Sequence, residues 1–190
     1  MGRPEDATPS PPLVTDRLRL RRLTLDDAPA MAALLGDDHG AIDMTGHVPY
    51  PCTLAGARGW IELRTGPDSH PFAIEHAGAM VGSIGFQLDG PRAGIGYWLG
   101  RDHWGRGFAT EAAAAILAHA ASFGVRAVDA DTFTGNAASG RVLAKLGFTY
   151  VDTVEEPQPV RGGIRAVDRY VWHPPNLAPA AGSGAKLEAP

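Results

Sequence analysis

A strand, a glycine-rich turn and a long alanine-rich helix follow one another in the middle of this chain, and this succession most constrains its fold. Residues 94–99 place Ile, Tyr and Leu at alternate positions among mostly β-branched and aromatic residues, which predicts a strand. Gly105 and Gly107 then permit a tight turn, because glycine has no Cβ to restrict its backbone. Residues 110–123 contain neither Gly nor Pro and are rich in Ala, which predicts a helix.

The turn before this helix is suited to bind an anion. The first N–H groups of a helix have no partner within the helix, and the helix dipole is positive at that end. A glycine-rich approach leaves those N–H groups accessible to a phosphate. The alternative is that Gly105 and Gly107 only make the turn, and the glycines alone do not decide between the two interpretations.

Charge and composition exclude several classes of function. The chain has 17 Lys and Arg against 21 Asp and Glu, a net charge of −4, which disfavours nucleic acid as a partner. The sequence contains no apolar run of membrane-spanning length and no signal peptide, so we expect a cytoplasmic protein without a membrane partner. Cys52 is the only cysteine, and because no His–carboxylate pair is recognisable beside it, we do not expect it to be a nucleophile.

The ends of the chain differ in composition from its middle. Residues 1–12 are rich in Pro and small polar residues, and residues 174–190 are rich in Pro, Ala and Gly. Both compositions predict disorder. The remaining residues, 13–173, are predicted to form a single domain.

The middle of the chain predicts an α+β fold, in which helices flank one mixed α/β sheet in the order β-α-α-β-β-β-α-β-α-β-β. Because a helix connects strand 94–99 to strand 127–133, these two strands should be parallel, whereas hairpins make the others antiparallel. The predicted elements are strand 15–22, a helix ending at Gly36, helix 54–64, strands 71–75, 80–88 and 94–99, helix 110–123, strand 127–133, a helix starting at Asn136, and strands 149–154 and 166–172.

Two motifs resemble the GNAT superfamily of acyl-CoA-dependent N-acyltransferases. Residues 104–109 are similar to its pyrophosphate loop, which has the pattern Arg/Gln-x-x-Gly-x-Gly/Ala. Residues 136–148 are similar to the Asn-x-x-Ser…Lys-Leu-Gly-Phe segment of the subgroup that contains the Rim-type ribosomal-protein N-terminal acetyltransferases. The first segment of the predicted domain, residues 15–21, and the strand residues 96–99 also resemble that subgroup. The resemblance therefore extends over residues 15–172.

The resemblance implies a GNAT-like fold and transfer of an acetyl group from acetyl-CoA to a primary amine, without a covalent intermediate. It places the pyrophosphate on the backbone of the glycine-rich turn and the pantetheine arm between the two parallel strands. It also implies that a backbone N–H near Trp98 or Leu99 binds the oxyanion. The acetyl-CoA-binding residues expected on this basis are Trp98, Leu99, Trp104, Gly105, Arg106, Gly107, Phe108, Ala109, Thr110, Asn136 and Ser139.

The chain departs from the family pattern at two positions. Trp104 stands where many members have Arg or Gln. Leu143 stands where many members have a Tyr that protonates the leaving thiolate, so this role passes to Ser139. The alternative for Ser139 is a local bond within the first helical turn, and the alternative for Asn136 is a plain helix N-cap.

The general base and the acceptor are not defined by a motif. Glu75, Asp43 and His47 are possible bases, directly or through water, although the sequence favours a surface position without a catalytic role for each of them. The histidines lack metal-ligand spacing such as His-x-x-x-His, so we expect no metal. The acceptor amine can be a peptide N-terminus or a small molecule, acidic residues in 37–43 favour a cationic one, and a homodimer is possible.

Two other functions compete with this interpretation. A dinucleotide-binding oxidoreductase would use Gly105, Gly107 and then Asp129 or Asp131, but Thr110 occupies the third glycine position and hairpins replace repeated βαβ units. The other competitor is a non-catalytic module that binds acetyl-CoA. The absence of the family's Tyr and of an obvious base keeps that alternative open.

Overall fold

The strands form one mixed sheet in a computed structural model that describes residues 11–36, 45–158, 160 and 162–175. Within these residues eight strands lie in the order β1-β2-β3-β4-β5-β6-β8-β7, flanked by four α-helices. The elements are β1 (Leu13–Val14), β2 (Arg19–Arg22), α1 (Ala28–Leu35), α2 (Leu54–Glu62), β3 (Ser69–His76), β4 (Ala79–Asp89), β5 (Arg92–Leu99), α3 (Phe108–Ala121), β6 (Ala127–Phe133), α4 (Ala137–Lys145), β7 (Thr149–Pro157) and β8 (Ile164–Trp172).

The topology confirms the predicted mixed sheet. The strands β5 and β6 are parallel and are connected through α3, whereas the other neighbouring pairs are antiparallel. The hairpin between β3 and β4 turns at Ala77 and Gly78, whose φ angles of 51° and 82° suit a two-residue hairpin turn. Most of the two predicted disordered ends lies outside the described residues. Within the described part of the chain, no helix combines the length and the apolar character needed to cross a bilayer.

The predicted strand 15–22 is wrong in its first half. Thr15 donates its backbone N–H to the carbonyl of Leu18 over 2.9 Å, and the Leu18 N–H donates to the Thr15 hydroxyl over 3.0 Å. These bonds close a turn, so the sheet strand begins only at Arg19 and pairs with the additional strand β1. A threonine hydroxyl that captures a nearby backbone group competes in this way with strand pairing.

The sheet is covered on both faces, which sets the direction of each side chain on β5. One core contains Phe108, Ile116 and Leu143 of α3 and α4, together with the partly buried Tyr97. The other core contains residues of α1 and α2 together with Trp98. Successive strand residues point to opposite faces, so Tyr97 and Trp98 lie on opposite sides of the sheet.

Candidate active site

The strands β5 and β6 separate along their length and open a cleft in the sheet. They are paired from Arg92 with Ala127 to Ile95 with Ala130, and beyond Ile95 the pairing ends although both strands continue. A cleft of about 580 Å³ lies there, lined by residues of β3 to β8, α2 and α4 and by residues 45–48. Because neither strand bonds the other beyond this point, their backbone groups are available to a third molecule.

The glycine-rich loop after β5 presents an arc of backbone donors. Gly105 and Gly107 have φ angles of 71° and 81°, which L-residues rarely adopt. The first bond of α3 runs from the Glu111 N–H to the Gly107 carbonyl over 3.1 Å. Among the described residues, no protein acceptor is found for the N–H groups of residues 105–110. These donors, at the positive end of a 14-residue helix, are suited to bind an anion such as a phosphate group.

The N-terminal turn holds this loop in place through Glu111. The Glu111 carboxylate accepts bonds from the Thr15 hydroxyl over 2.6 Å and from Arg17 Nε over 2.7 Å. Arg17 Nη1 also donates to the carbonyl of Arg106 over 2.9 Å. Partial burial of Glu111 is outweighed by these hydrogen bonds, which lower the pKa of its carboxyl group. The segment that resembles the family's opening motif therefore braces the loop.

The register of β5 shows which backbone N–H groups face the cleft. The Gly100 N–H donates to the Val81 carbonyl of the neighbouring chain segment over 3.0 Å. Backbone groups alternate between the two edges of a strand, so the N–H of Trp98 also faces β4. The N–H groups of Leu99 and Tyr97 face the open side instead. Of the two residues predicted to supply the oxyanion donor, Leu99 therefore has the suitable orientation.

Trp104 contributes to the end of β5 rather than to the arc of donors. Its indole Nε1 donates to the carbonyl of Leu99 over 2.9 Å. This bond ties the start of the loop to the last residue of the strand. The side chain remains 41% exposed, so one of its faces is open to a ligand.

Two hydroxyl groups meet where β5 faces α4. The Tyr97 hydroxyl lies 2.9 Å from Ser139 Oγ, and the Ser139 N–H donates to Asn136 Oδ1 over 3.1 Å. Asn136 is therefore the N-cap of α4, and its bond fixes the first turn that carries Ser139. Burial raises the pKa of Tyr97 despite the hydrogen bond from Ser139, so the phenol remains protonated at neutral pH. Leu143 is buried one helical turn further on.

The opposite side of the cleft is acidic. Asp131, Glu156 and His47 all line it. Asp131 forms no ion pair with a described residue, because the facing Arg169 binds Asp152 over 2.5 and 2.6 Å. Asp131 is exposed to solvent in the cleft, but desolvation by the surrounding protein and the charge of Glu156 raise the pKa of its carboxyl group, which favours a carboxylate that can accept a proton.

Glu75, another predicted base, lies in a different environment. It does not line the cleft, and it accepts bonds from Arg19 and Arg21 over 2.7 Å each. Burial opposes ionisation of Glu75, but the bonds from the two arginines outweigh it and lower the pKa of the carboxyl group. A carboxylate held by two arginines is a poor proton acceptor. Asp43 lies outside the described residues.

Tyr97, Asp131 and Glu156 are not among the residues that the sequence suggested for acetyl transfer, and Asp131 was considered only for dinucleotide binding. Asp131 had a usable signal, since carboxylates alternate with apolar residues along the inner strand β6. The sequence signal for Tyr97 was weaker, namely its alternation with Trp98 on β5, which predicts that it points to one face of the sheet. Glu156 had none, because only the folding of β7 beside β8 brings it to the cleft.

Comparison with known proteins identifies the type of fold. Residues 17–149 match the family model described as the acetyltransferase (GNAT) domain. The chain is 32% identical over 157 residues to the uncharacterized N-acetyltransferase YoaA of Bacillus subtilis (strain 168), across 73% of this chain and 82% of that protein.

Two solved structures share this architecture. One is the microcin C7 self-immunity acetyltransferase MccE in complex with acetyl-CoA and AMP, with a TM-score of 0.76 and 21% identity across 87% of this chain and 97% of that one. The other is RimL, a ribosomal L7/L12 α-N-protein acetyltransferase in complex with coenzyme A, with a TM-score of 0.75 and 22% identity across 85% of this chain and 97% of that one.

Proposed function

Because the chain belongs to the GNAT acetyltransferase family, we propose that it transfers the acetyl group of acetyl-CoA to a primary amine in the cleft between β5 and β6. The observation that carries this proposal is the arc of N–H groups at residues 105–110, which lack a protein acceptor among the described residues. The loop that carries these groups follows the end of β5, the strand whose pairing with β6 ends at Ile95. The N–H groups of the loop fit the diphosphate of acetyl-CoA, and the unpaired strand edges fit its extended pantetheine arm.

Acetyl-CoA binding divides between the loop and the cleft. The N–H groups of the loop bind the pyrophosphate, and the glycines at 105 and 107 let it approach the backbone. The pantetheine arm lies along the unpaired edges of β5 and β6. Asn136, whose carbonyl already caps α4, offers its NH₂ group to the amides of that arm.

The reaction is a direct attack of the neutral amine on the thioester carbonyl. A C–N bond forms, the carbonyl oxygen becomes an oxyanion and the attacking nitrogen becomes positively charged. The oxyanion then collapses and the C–S bond breaks. The nitrogen gives up its extra proton, which replaces, directly or through water, the proton that the leaving thiolate takes. The N–H groups of Leu99 and Tyr97, which face the open side of β5, are positioned to bind the oxyanion. No residue forms a covalent intermediate, in keeping with the burial of Cys52, which raises the pKa of its thiol.

The leaving thiolate takes a proton from the hydroxyl pair of Ser139 and Tyr97. Ser139 Oγ is the nearer candidate because it lies on the first turn of α4, and Tyr97 shares a hydrogen bond with it over 2.9 Å. The tyrosine thereby supplies the phenol that the family pattern places at the position of Leu143. The raised pKa of Tyr97 keeps a proton available throughout the neutral range.

The incoming ammonium loses its proton to the acidic side of the cleft. Asp131 is the proposed acceptor, since it has no ion-pair partner among the described residues and its pKa is raised. Glu156 and His47 line the same cleft and are placed to pass the proton on to solvent. Glu75 has no part in this step because it lies outside the cleft.

A turnover assay with purified protein tests the proposal. We expect CoA release from acetyl-CoA to depend on an added amine, with the acetylated amine identified by mass spectrometry. Asp131→Asn should lower kcat by about 100-fold, the usual contribution of a general base, whereas the matched variant Asp68→Asn on the exposed surface should retain activity. Hydrolysis of acetyl-CoA without any acetylated amine would contradict the proposal.

A further inference from the structure

An arginine without a carboxylate partner lines the cleft on the side of α2. Arg64 Nη1 donates to the carbonyl of Trp60 over 3.1 Å, and the guanidinium carbon lies 3.7 Å from the centroid of the Trp60 ring. No carboxylate of the described residues forms an ion pair with Arg64. Burial lowers the pKa of Arg64 to about 10, so the side chain is still a cation at neutral pH.

A half-buried cation without a counterion is costly unless a ligand supplies the missing charge. The stacking on Trp60 holds the guanidinium plane in one orientation and leaves most of its five N–H donors unused. A fixed guanidinium fork matches the two oxygens of a carboxylate. These contacts describe a preformed anion site rather than a solvated surface arginine.

Two indole groups next to Arg64 add further donors without partners. Trp60 and Trp98 line the same cleft and are 8% and 5% exposed. Their Nε1 atoms are buried and have no hydrogen-bond partner among the residues that the structure describes. Buried donors normally have an acceptor, so a ligand rich in oxygen acceptors would complete this part of the cleft.

The cleft that contains Arg64 also has open space and negative charge. Gly94 and Gly96 of β5 line it, and a Cβ added at either would meet no described atom within 4 Å. Asp131 and Glu156 line the same cleft. The lining therefore includes a cation, two carboxylates and a stretch of strand without side chains, in a volume of about 580 Å³.

We propose that the acceptor is a small zwitterionic amine, an amino-acid-like molecule whose carboxylate binds Arg64 and whose amino group faces Asp131. This inference rests on the proposed acetyl transfer and names the substrate class. A carboxylate is favoured over a doubly charged phosphate because Asp131 and Glu156 in the same cleft repel excess negative charge. A peptide N-terminus is disfavoured because it lacks the carboxylate next to its amine.

The test compares amino acids with amines that lack the carboxylate. Protein saturated with CoA is titrated calorimetrically with each of the standard amino acids and with the corresponding decarboxylated amines. We expect at least one amino acid to bind about 10- to 100-fold more tightly than its decarboxylated counterpart, the range for a charge-assisted hydrogen-bonded contact. Arg64→Gln should reduce this ratio to about unity, and Arg64→Lys, which lacks the fork, should restore only part of it.

Arg58→Gln is the matched control, since Arg58 is exposed on α2, the helix that ends two residues before Arg64. It should leave the ratio unchanged, and CoA affinity should be the same in all variants. The inference is overturned if no amino acid binds better than its amine, if a peptide N-terminus is the preferred ligand, or if Arg64→Gln preserves the ratio. If the wild-type protein does not bind CoA at all, the proposed acetyl transfer is overturned instead.

Discussion

The hydroxyl of Tyr97 lies 2.9 Å from Ser139 Oγ across the opening between β5 and α4. Tyr97 comes from the central strand and Ser139 from the first turn of a helix 42 residues later in the chain. Their contact joins two groups that can give up a proton at the place where the two parallel strands separate. The proposed proton transfer to the leaving thiolate of CoA depends on this pair.

Removal of the tyrosine hydroxyl should slow catalysis with little effect on acetyl-CoA binding. We expect Tyr97→Phe to lower kcat by about 10- to 100-fold, because Ser139 loses the partner that shares its proton. Ser139→Ala should have a similar effect, and the double variant should cost much less than the product of the two, since the residues act as a unit. Steady-state kinetics on the four proteins measures this coupling.

A second tyrosine hydroxyl provides the control for that experiment. Tyr150 lies 2.8 Å from the Thr153 hydroxyl on the exposed strand β7, so Tyr150→Phe removes the same kind of bond away from the cleft. Its kcat should match that of the wild type. An equal loss of activity in Tyr150→Phe and Tyr97→Phe would show that the effect is a general one on stability.

The acid limb of the pH–rate profile should belong to Asp131. This residue must be ionised to accept a proton, and its pKa is raised, so kcat/KM should fall as the pH decreases through a value above the usual 3.9 of aspartate. Asp131→Asn should abolish this limb together with most of the activity. A profile whose acid limb is unchanged in that variant would assign the base to another residue.

The same substitution should not destabilise the fold. A carboxyl group with a raised pKa is less favourably ionised in the folded state, so its charge opposes folding above the pKa of the unfolded chain. Because Asp131 is exposed to solvent, Asp131→Asn should leave the thermal midpoint unchanged or raise it only slightly at pH 8, and any difference should disappear near pH 3. Thermal unfolding at several pH values measures it.

Gly107 and Gly124 form a matched pair at the two ends of α3. Their φ angles are 81° and 80°, so replacement by alanine introduces comparable backbone strain of about 1 kcal/mol in both. Only Gly107→Ala should weaken acetyl-CoA binding, by about 10-fold, because it distorts the arc of N–H donors. Calorimetric titration of the two variants separates binding from strain, and equal affinities would argue against the loop as the pyrophosphate site.

The bonds of Glu111 predict a pH-dependent contribution to stability. Its pKa is lowered, so the carboxylate stabilises the folded protein above about 4.3, the value for free glutamate, and this stability is lost as the pH falls through the lowered pKa. Glu111→Gln should lower the thermal midpoint by about 3 °C at pH 7 and by less at pH 4. The exposed Glu62→Gln should show neither effect.

The local features of this chain could be predicted from its sequence. Three of these features depend only on nearby residues. The turns at Gly107 and at Ala77–Gly78 require positive φ angles of those residues themselves. The N-cap Asn136 binds the backbone of Ser139, three residues later. The parallel pairing of β5 with β6 follows from the helix that connects them. The error in the first strand has a local cause, the turn bonds between Thr15 and Leu18. The additional bond from Thr15 to Glu111, 96 residues away, could not be predicted from the local sequence.

The walls of the cleft could not be predicted in the same way. Arg64, Asp131 and Glu156 lie on three elements far apart in the chain, and only the packed sheet brings them around one space. Glu75 was a predicted base that the fold makes unsuitable. The sequence does not show that β2 places Arg19 and Arg21 against its carboxylate. Such charges acquire a role from their tertiary neighbours rather than from a motif.

The most direct test of the central claim is calorimetric titration of acetyl-CoA into the wild-type protein, Gly107→Glu and Gly124→Glu, with NAD as the competing ligand. We expect acetyl-CoA to bind the wild type and Gly124→Glu alike, to lose all measurable affinity for Gly107→Glu, and NAD not to bind. The new carboxylate at Gly107 would stand where the pyrophosphate is held. Binding of NAD, or undiminished acetyl-CoA binding by a folded Gly107→Glu protein, would contradict the account.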